Sequence, residues 1–308
     1  MQIYLPIAEL PVNILLIIGM SMAVGFISGM FGVGGGFLMT PLLIFMGIPP
    51  AIAVATQSAQ ITATSTTAAL FCWRRKAVDL KMGGVLLAGG LAGTVLGVLF
   101  FNSLRRAGQL ETFITLSYVV LLGTTGSLMF VESVRAILSS GKGPKRPTRR
   151  AGHRRWYDGF PLKMRFNRSG IFVSVLPLLG LSLFIGFAGA VLGIGGGFIL
   201  VPALIYVFRV PTALVAGTSQ FQILFSMIAA TILHAMTNQS VDIVLAVLLV
   251  AGGVVGAQFG ARAGVGLRAE TFRFLLAMLV LAVALRIGAE LVSPSGDLFT
   301  ATPTETAR

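Results

Sequence analysis

The sequence GFISGMFGVGGGF at residues 25–37 returns as GFAGAVLGIGGGF at residues 186–198, 161 positions later. In each copy three consecutive glycines interrupt an otherwise apolar segment, at 34–36 and at 195–197. Each glycine weakens a helix by about 1 kcal/mol relative to alanine. The two stretches therefore predict one broken membrane helix, present twice in the chain.

Matches of glycine, proline, threonine, glutamine and aspartate continue after the glycine runs in the same order. Pro41 matches Pro202, and with one inserted residue Gln60 matches Gln222. Further pairs are Thr56 with Thr218, Asp79 with Asp242, Gly89, Gly90, Gly93 and Gly97 with Gly252, Gly253, Gly256 and Gly260, and Arg105 with Arg268. Because such residues match by chance far less often than leucine or valine, we infer an internal duplication.

The composition excludes a soluble globular protein. Of the 308 residues 56% are hydrophobic and 11% are charged, whereas a soluble domain carries about 25% charged residues. The predicted fold class is all-α: a polytopic membrane protein with two inverted repeats of about five hydrophobic segments each. The segments are 12–31, 37–48, 51–72, 82–101 and 112–132, then 171–192, 198–208, 213–235, 241–261 and 271–292.

Positive charge divides the chain. Ten of its 23 lysines and arginines lie between residues 139 and 168, where Asp158 is the only acid. This pattern is typical of a cytoplasmic loop beside anionic lipid headgroups, and we do not interpret it as a nucleic-acid site. We therefore predict a first repeat at 1–138, a basic cytoplasmic linker at 139–169 and a second repeat at 170–308.

Counting five crossings in each half from this linker places both chain termini outside and the loop 74–81 inside. Only Arg105 and Arg106 then lie on the side that basic residues avoid. An odd number of crossings gives the repeats opposite orientations. That number depends on the short segments 37–48 and 198–208, which are too short to span alone at 1.5 Å per residue. If each is one arm of a re-entrant hairpin the count changes, although inversion could survive.

The paired glycine runs are candidates for a substrate site. Unwound backbone is tolerated in a membrane only where protein or a water-filled cavity satisfies it, and paired breaks indicate the site in repeat-built transporters. Short helices that start there would present free N–H groups to an anion. The alternative is close helix packing, which we favour for the scattered glycines from Gly89 onward. The predicted site positions at the breaks are Gly34, Gly35, Gly36, Phe37, Gly195, Gly196, Gly197 and Phe198.

A helix with uncharged polar residues follows each break. Thr56 and Gln60 are four residues apart and share a face, as do Thr218 and Gln222. Glutamine in a bilayer is costly unless it meets a partner or water, so these groups either line the site or bond neighbouring helices together. The predicted site positions on these helices are Thr56, Gln57, Gln60, Thr218, Ser219 and Gln222.

Few titratable groups lie in the apolar segments. Asp79 and Asp242 begin helices, where we expect caps, with ion coupling as the alternative. His234 is expected to be structural, with a proton relay as the alternative. Arg286 and Glu290 are expected to pair, with gating as the alternative. The chain has no cysteine cluster, Walker-type loop or nucleophile–base pairing, so we predict no metal, no cofactor and no enzymatic activity.

Both repeats resemble the sulfite exporter TauE/SafE family of membrane permeases. The resemblance rests on Gly25–Pro41 and Gly186–Pro202, with Thr56–Ile61 and Thr218–Ile223 after them. It covers most of the chain except the linker and the tail after Val292. It implies a secondary carrier of the bacterial inner membrane for a small sulfur-containing anion: sulfite, an organosulfonate or thiosulfate.

We expect alternating access at the paired breaks, with H⁺ or Na⁺ as the partner if transport is coupled. Two alternatives stay open. One is an anion channel, and the other is a non-transporting membrane subunit or sensor whose linker docks a partner.

Overall fold

The computed structural model describes residues 2–31, 35–138, 163–166, 168, 171–208, 210–263 and 269–292. Within them each repeat contributes five α-helices in the same order. The first set is α1 (Ile14–Phe31), α2 (Gly36–Phe45), α3 (Pro50–Arg74), α4 (Leu80–Arg106) and α5 (Leu110–Leu138). The second set is α6 (Val175–Leu192), α7 (Gly197–Pro202) with a π-helical turn (Ala203–Val207), α8 (Thr212–Asn238), α9 (Ile243–Ala263) and α10 (Ala269–Val292). The ten predicted segments are confirmed.

The long helices are suited to a bilayer. Among the described residues, five helices are long and apolar enough to cross it, namely α4, α5, α6, α8 and α9. Large apolar side chains such as Leu99, Val247 and Leu285 are exposed on the outer surface. Because lipid covers such side chains as well as protein does, this surface fits the predicted multi-pass membrane protein.

A β-hairpin that the sequence did not reveal precedes the first helix of each repeat. The antiparallel pairs are β1 (Gln2–Leu5) with β2 (Leu10–Asn13), and β3 (Lys163–Phe166) with β4 (Ile171–Ser174). The hairpins keep the offset of 161. Asn13 Oδ1 and Ser174 Oγ each accept the N–H two residues on, at 3.1 and 3.4 Å, and so cap α1 and α6. The strand β3 thus lies inside the range assigned to the linker, whose residues 139–162 lie outside the described ones.

The two repeats have opposite orientations. The Ile7 N–H donates to Asp242 Oδ2 at 3.0 Å, which places the first hairpin beside the start of α9 on what we call the N-terminal face. Arg168 Nη1 donates to the Val78 carbonyl at 2.7 Å, which places the second hairpin beside the start of α4 on the linker face. Between the faces α3 runs for 25 residues, about 37 Å. Because α1 begins at one face and its equivalent α6 begins at the other, the predicted inversion is confirmed.

Glycines interlock the repeats. Helix α1 packs along α9, and α4 packs along α6. A Cβ on Gly256 would lie 2.1 Å from the Met22 carbonyl oxygen, and one on Gly93 would lie 2.0 Å from that of Leu183. The helix backbones therefore touch where only glycine fits. The packing interpretation is confirmed for Gly89, Gly90, Gly93, Gly97, Gly252, Gly253, Gly256 and Gly260.

Candidate functional site

The two glycine breaks meet in the interior between the repeats. The first break (32–35) separates α1 from α2, and the second (193–196) separates α6 from α7. The buried Phe37 and Phe198 rings, one residue inside α2 and α7, stack with centroids 4.5 Å apart and planes 12° apart. A Cβ on Gly36 would lie 2.4 Å from the Gly193 carbonyl oxygen. The fold thus brings the two sets of predicted break positions together, although Gly34 lies outside the described residues.

Helix α2 does not cross the membrane by itself. Gly35 lies beside Val24 of α1, because a Cβ there would be 3.2 Å from Val24 Cγ1. From this depth α2 runs for ten residues, about 15 Å. It ends by the first hairpin, where a Cβ on Gly47 would be 4.0 Å from Leu10 Cδ1. Since α2 returns to the face where α1 begins, the two form a hairpin inside the membrane and the repeats stay inverted.

The second break has a backbone that requires glycine. Gly193, Gly195 and Gly196 have φ values of +66°, +75° and +76°, in the left-handed region that residues with a Cβ avoid. Gly196 is the N-cap of α7, and its carbonyl accepts the Leu200 N–H at 2.9 Å. The equivalent Gly35 has φ of −71°, which any residue adopts. The two breaks therefore differ in backbone conformation at matched glycines.

Side chains brace the last turn of α6, just before the second break. The buried Tyr118 hydroxyl donates to the Leu192 carbonyl. His234 Nε2 lies 3.0 Å from the Ala190 carbonyl oxygen, and His234 Nδ1 lies 2.9 Å from Asn238 Nδ2. The amide donates to Nδ1, so Nε2–H donates to Ala190. Because the last carbonyls of a helix lack partners within it, these bonds give His234 the expected structural role.

Gln60 and Gln222 occupy matched positions but have different partners. Gln60 Nε2 donates to Ser21 Oγ of α1 at 2.8 Å, and Ser21 Oγ donates to the Leu249 carbonyl of α9 at 2.5 Å. Gln222 Nε2 donates at 2.9 Å to Ser226 Oγ, on its own helix. Gln60 thus joins three helices, whereas Gln222 bonds within α8.

Three buried glutamines of α3 and α8 carry amide atoms without partners among the described residues. These atoms are Oε1 of Gln60, Oε1 of Gln222, and both Oε1 and Nε2 of Gln57. Leaving a buried polar atom unpaired costs about 1–3 kcal/mol. A polar ligand or water beside these amides would remove that cost.

The matched threonines bond the repeats together. Thr56 Oγ1 accepts the Asp242 N–H at 3.0 Å, and Thr218 Oγ1 accepts the Asp79 N–H at 3.1 Å. Both aspartates cap helices, since Oδ1 of each accepts N–H groups of the following turn at 3.0–3.3 Å. Capping is therefore confirmed for both. Ser219 Oγ donates to the Ala216 carbonyl on its own helix at 3.1 Å. The hydroxyls at three predicted site positions, Thr56, Thr218 and Ser219, therefore already have hydrogen-bond partners within the protein.

Comparison with known proteins identifies the family of this chain. The profile described as "Sulfite exporter TauE/SafE" matches residues 17–287. The chain belongs to this family. Two relatives from Bacillus subtilis (strain 168) are probable membrane transporter proteins: YunE is 25% identical over 289 residues (91% of this chain and 97% of the relative), and YjnA is 29% identical over 274 residues (88% and 98%).

A plant relative matches over a shorter stretch. The "Sulfite exporter TauE/SafE family protein 5" of Arabidopsis thaliana is 45% identical over 51 residues, 17% of this chain and 11% of the relative. No solved structure gives a significant match. The matches to bacterial relatives over nearly their whole length make this chain a multi-pass membrane transporter of the TauE/SafE family.

In this TauE/SafE transporter, sequence reasoning missed Ser21, Tyr118 and Ile61. A Cβ on Gly195 would lie 2.9 Å from Ile61 Cγ2, so this side chain packs against the second break. Ser21 could have been found, because it matches Ser182 at the offset of 161. Tyr118 gives no such signal, since its partner lies 74 residues away in the other repeat.

Arg105, near the end of α4, and Arg286, in α10, both have partners. Arg105 Nη1 donates to the Asn238 carbonyl at 2.7 Å and to Ser240 Oγ at 3.2 Å. These bonds hold Arg105 at the end of α8 on the N-terminal face, against the general charge pattern. The Arg286 guanidinium lies 4.9 Å from the centre of the Phe45 ring, and the Glu290 side chain, its predicted partner, lies outside the described residues.

Proposed function

We propose that this transporter is a secondary carrier that moves a small sulfur-containing anion by alternating access, with its binding site at the two glycine breaks. The anion would be sulfite, which the family's description names, or an organosulfonate or thiosulfate. The observation that carries the proposal is the meeting of both breaks at the buried Phe37–Phe198 stack. An inverted repeat places one such break on each side of a common centre.

The backbone at the centre favours an anion. Helix α2 begins at Gly36, and the helical run Gly197–Val207 begins opposite it. The first N–H groups of each run have no acceptor within the helix and carry a partial positive charge. Since the two runs lead away to opposite faces, their positive ends point toward each other. An anion between them would need no lysine or arginine.

The unpaired amides supply donors and acceptors for an oxyanion. Gln57 Nε2 is a buried donor without a partner among the described residues, so it can bind an anionic oxygen. The Oε1 atoms of Gln60 and Gln222 can accept from a protonated oxyanion or a bridging water. The terminal atoms of a glutamine amide also exchange places by rotation of the group. We therefore assign Gln57, Gln60 and Gln222 to the substrate site.

The closed centre favours a carrier over a channel. Phe37 and Phe198 are 1% and 6% exposed, and their stack fills the space between the breaks. A carrier passes through such an occluded arrangement in every cycle, with the site open to one face at a time. H⁺ or Na⁺ would be the coupling ion, identified by imposing a gradient of each in turn.

We place the protein in a bacterial inner membrane with the linker face toward the cytoplasm and both termini outside. Basic residues dominate the described part of the linker face, as the positive-inside rule requires. They include Arg74, Arg75, Lys76, Lys81, Arg165 and Arg168. The basic linker would then contact anionic lipid headgroups.

The test is anion flux into proteoliposomes that contain the Gln57→Met variant. Methionine has nearly the same volume, and the amide loses no described hydrogen bond, so folding is preserved. We expect uptake of labelled thiosulfate or sulfite to fall about tenfold or more, because one charged hydrogen bond contributes about 1.5–3 kcal/mol. The Thr62→Val control removes a hydroxyl that donates to Ser58 on the same helix at 2.9 Å, and should retain flux.

Wild-type flux in folded Gln57→Met protein would reject the assignment of Gln57 to the site. Flux that rises linearly with anion concentration, without saturation, would instead favour the channel.

A further inference from the structure

A pocket of about 390 Å³ lies on the N-terminal face, away from the glycine breaks. Both repeats line it: the first hairpin, the start of α3 and the turn between α4 and α5 from one, and the turn between α8 and α9 from the other. The space is large enough for a small anion with some of its water. None of the predicted site residues lines it, so it is separate from the site proposed at the glycine breaks.

Arg105 is the positively charged group in the lining. Its Nη1 makes both bonds to the end of α8, to the Asn238 carbonyl and to Ser240 Oγ. Ser240 Oγ in turn donates to the same carbonyl at 3.0 Å, which fixes the turn. Within the described residues Nε and Nη2 of Arg105 have no recorded acceptor. A guanidinium fixed by one nitrogen can still bind an oxyanion with the others.

The other charge in the lining is Glu111, in the first turn of α5. A carboxylate there interacts favourably with the positive end of its own helix, but it opposes an anion in the pocket. The start of α3, at Ala51 and Ile52, contributes a second positive helix end. This balance of one arginine, one glutamate and two helix starts suits a weak anion site rather than a tight one.

The pocket and the proposed site share helix α3. Ala51, at the start of α3, lines the pocket, and Gln57 and Gln60 follow six and nine residues later on the same helix. Nine residues correspond to about 13 Å along α3. Both glutamines are buried, so an anion in the pocket reaches them only when the N-terminal face opens, as alternating access requires.

We infer that this pocket is an access site, where the transported oxyanion binds Arg105 before it reaches the glycine breaks. The inference rests on the proposed function and names the residue through which the N-terminal face recruits the substrate. Arg105 raises the local concentration of anion and lies outside the central site. Its removal should therefore affect transport at low anion concentration and leave the saturated rate unchanged.

The experiment measures initial uptake of labelled thiosulfate into proteoliposomes at concentrations well below and well above half-saturation. We expect Arg105→Gln to lower the rate at low concentration about 3- to 10-fold, the effect of one exposed charged contact. The saturated rate should stay within twofold of wild type. Raising the ionic strength should slow wild-type uptake and have a weaker effect on the variant.

Two further variants separate the access role from a structural one. Arg106→Gln removes the neighbouring exposed charge, which does not line the pocket, and should leave both rates unchanged. Glu111→Gln removes the opposing charge and should raise the rate at low concentration about twofold. Equal losses at low and high concentration in Arg105→Gln would mean that Arg105 only holds the end of α8, and would overturn the inference. So would indistinguishable rates for the two arginine variants.

Equilibrium binding of thiosulfate to the purified chain in nanodiscs distinguishes this inference from the proposed function. If wild-type protein shows no flux of thiosulfate, sulfite or sulfoacetate, the carrier proposal fails. Binding that weakens at least threefold in Arg105→Gln and not in Arg106→Gln would then still support the pocket. Binding that does not depend on Arg105 would reject it.

Discussion

The two helix breaks carry the same run of glycines, yet the glycines that precede α2 and α7 have opposite backbone conformations. Gly35 has φ of −71° and Gly196 has φ of +76°. His234 and Tyr118 brace the turn before the second break. Cys72 stands where the second repeat has His234, at the offset of 162. The matched glycines therefore determine where each helix breaks, while residues that differ between the repeats determine how the break is stabilised.

The largest expected difference in stability is between the variants with alanine at one or the other of these two glycines. Gly196→Ala would force a Cβ to 2.2 Å from Ile185 Cγ2 at a left-handed φ. We expect a loss of about 3 kcal/mol or more, from backbone strain together with overpacking. In Gly35→Ala the new methyl group meets Val24 Cγ1 at 3.2 Å with a favourable φ. A cost of about 1 kcal/mol follows, which Val24 reduces by shifting slightly.

Unfolding of the two variants in mixed micelles with rising dodecyl sulfate would measure the difference. Gly84→Ala provides the control, because a Cβ at Gly84 meets nothing within 4 Å. Similar losses at Gly35 and Gly196 would show that the two breaks are equivalent in the folded protein and would remove the contrast.

Much of this fold follows from the sequence because its signals are local. An apolar run long enough to span, a glycine triplet and an aspartate before a helix each act on their own backbone. Repetition of Asp79 as Asp242 then extends a local capping signal to both halves. The ten segments, the inversion and the capping could be predicted for this reason.

The partners of the helices could not be predicted. Gly93 and Gly256 indicate close packing, but a row of small residues fits the backbone of any neighbouring helix. That α4 packs on α6 and α1 on α9 is determined by three-dimensional contacts between the repeats. The hairpins escaped notice because Gln2–Leu5 and Lys163–Phe166 share no residues at matched positions.

In the candidate site too, some features could be predicted from the sequence and others could not. Phe37 and Phe198 could be placed at the breaks from sequence, and their stacking then follows from the inverted repeat. The unpaired state of Gln57 could not be predicted, since it depends on which side chains from other helices surround it. The position of Arg105 could not be explained from the charge pattern, since its acceptors lie more than 130 residues away in the other repeat.

A smaller difference in the free energy of unfolding is expected between the His234→Ala and Cys72→Ala variants. The first substitution removes the bonds to Ala190 and Asn238 and leaves a gap beside the Phe101 ring, whose centroid is 4.7 Å from that of His234. We expect a loss of about 2–3 kcal/mol. Cys72 is half-buried near the end of α3, so truncation there should cost about 0.5 kcal/mol.

The same micelle titration measures both variants. Asn238→Ala removes one of the two hydrogen bonds of His234, so its loss of stability should lie between those of His234→Ala and Cys72→Ala. If His234→Ala were no less stable than Cys72→Ala, the side-chain brace of the second break would contribute nothing, and only the glycine backbone would distinguish the breaks.

The smallest expected loss of stability is at the matched threonines, where the two repeats make the same hydrogen bond. Thr56→Val and Thr218→Val each remove the acceptor for the N–H of an aspartate that begins a helix, at matched distances of 3.0 and 3.1 Å. Hydrogen bonds between membrane helices contribute about 0.6 kcal/mol on average, so each variant should lose about 0.5–1 kcal/mol. Because the two bonds lie at opposite faces, the losses should add in the double variant. A double variant that loses clearly more than this sum would contradict the independence of the two bonds and would show that the N-terminal and linker faces are coupled through the protein.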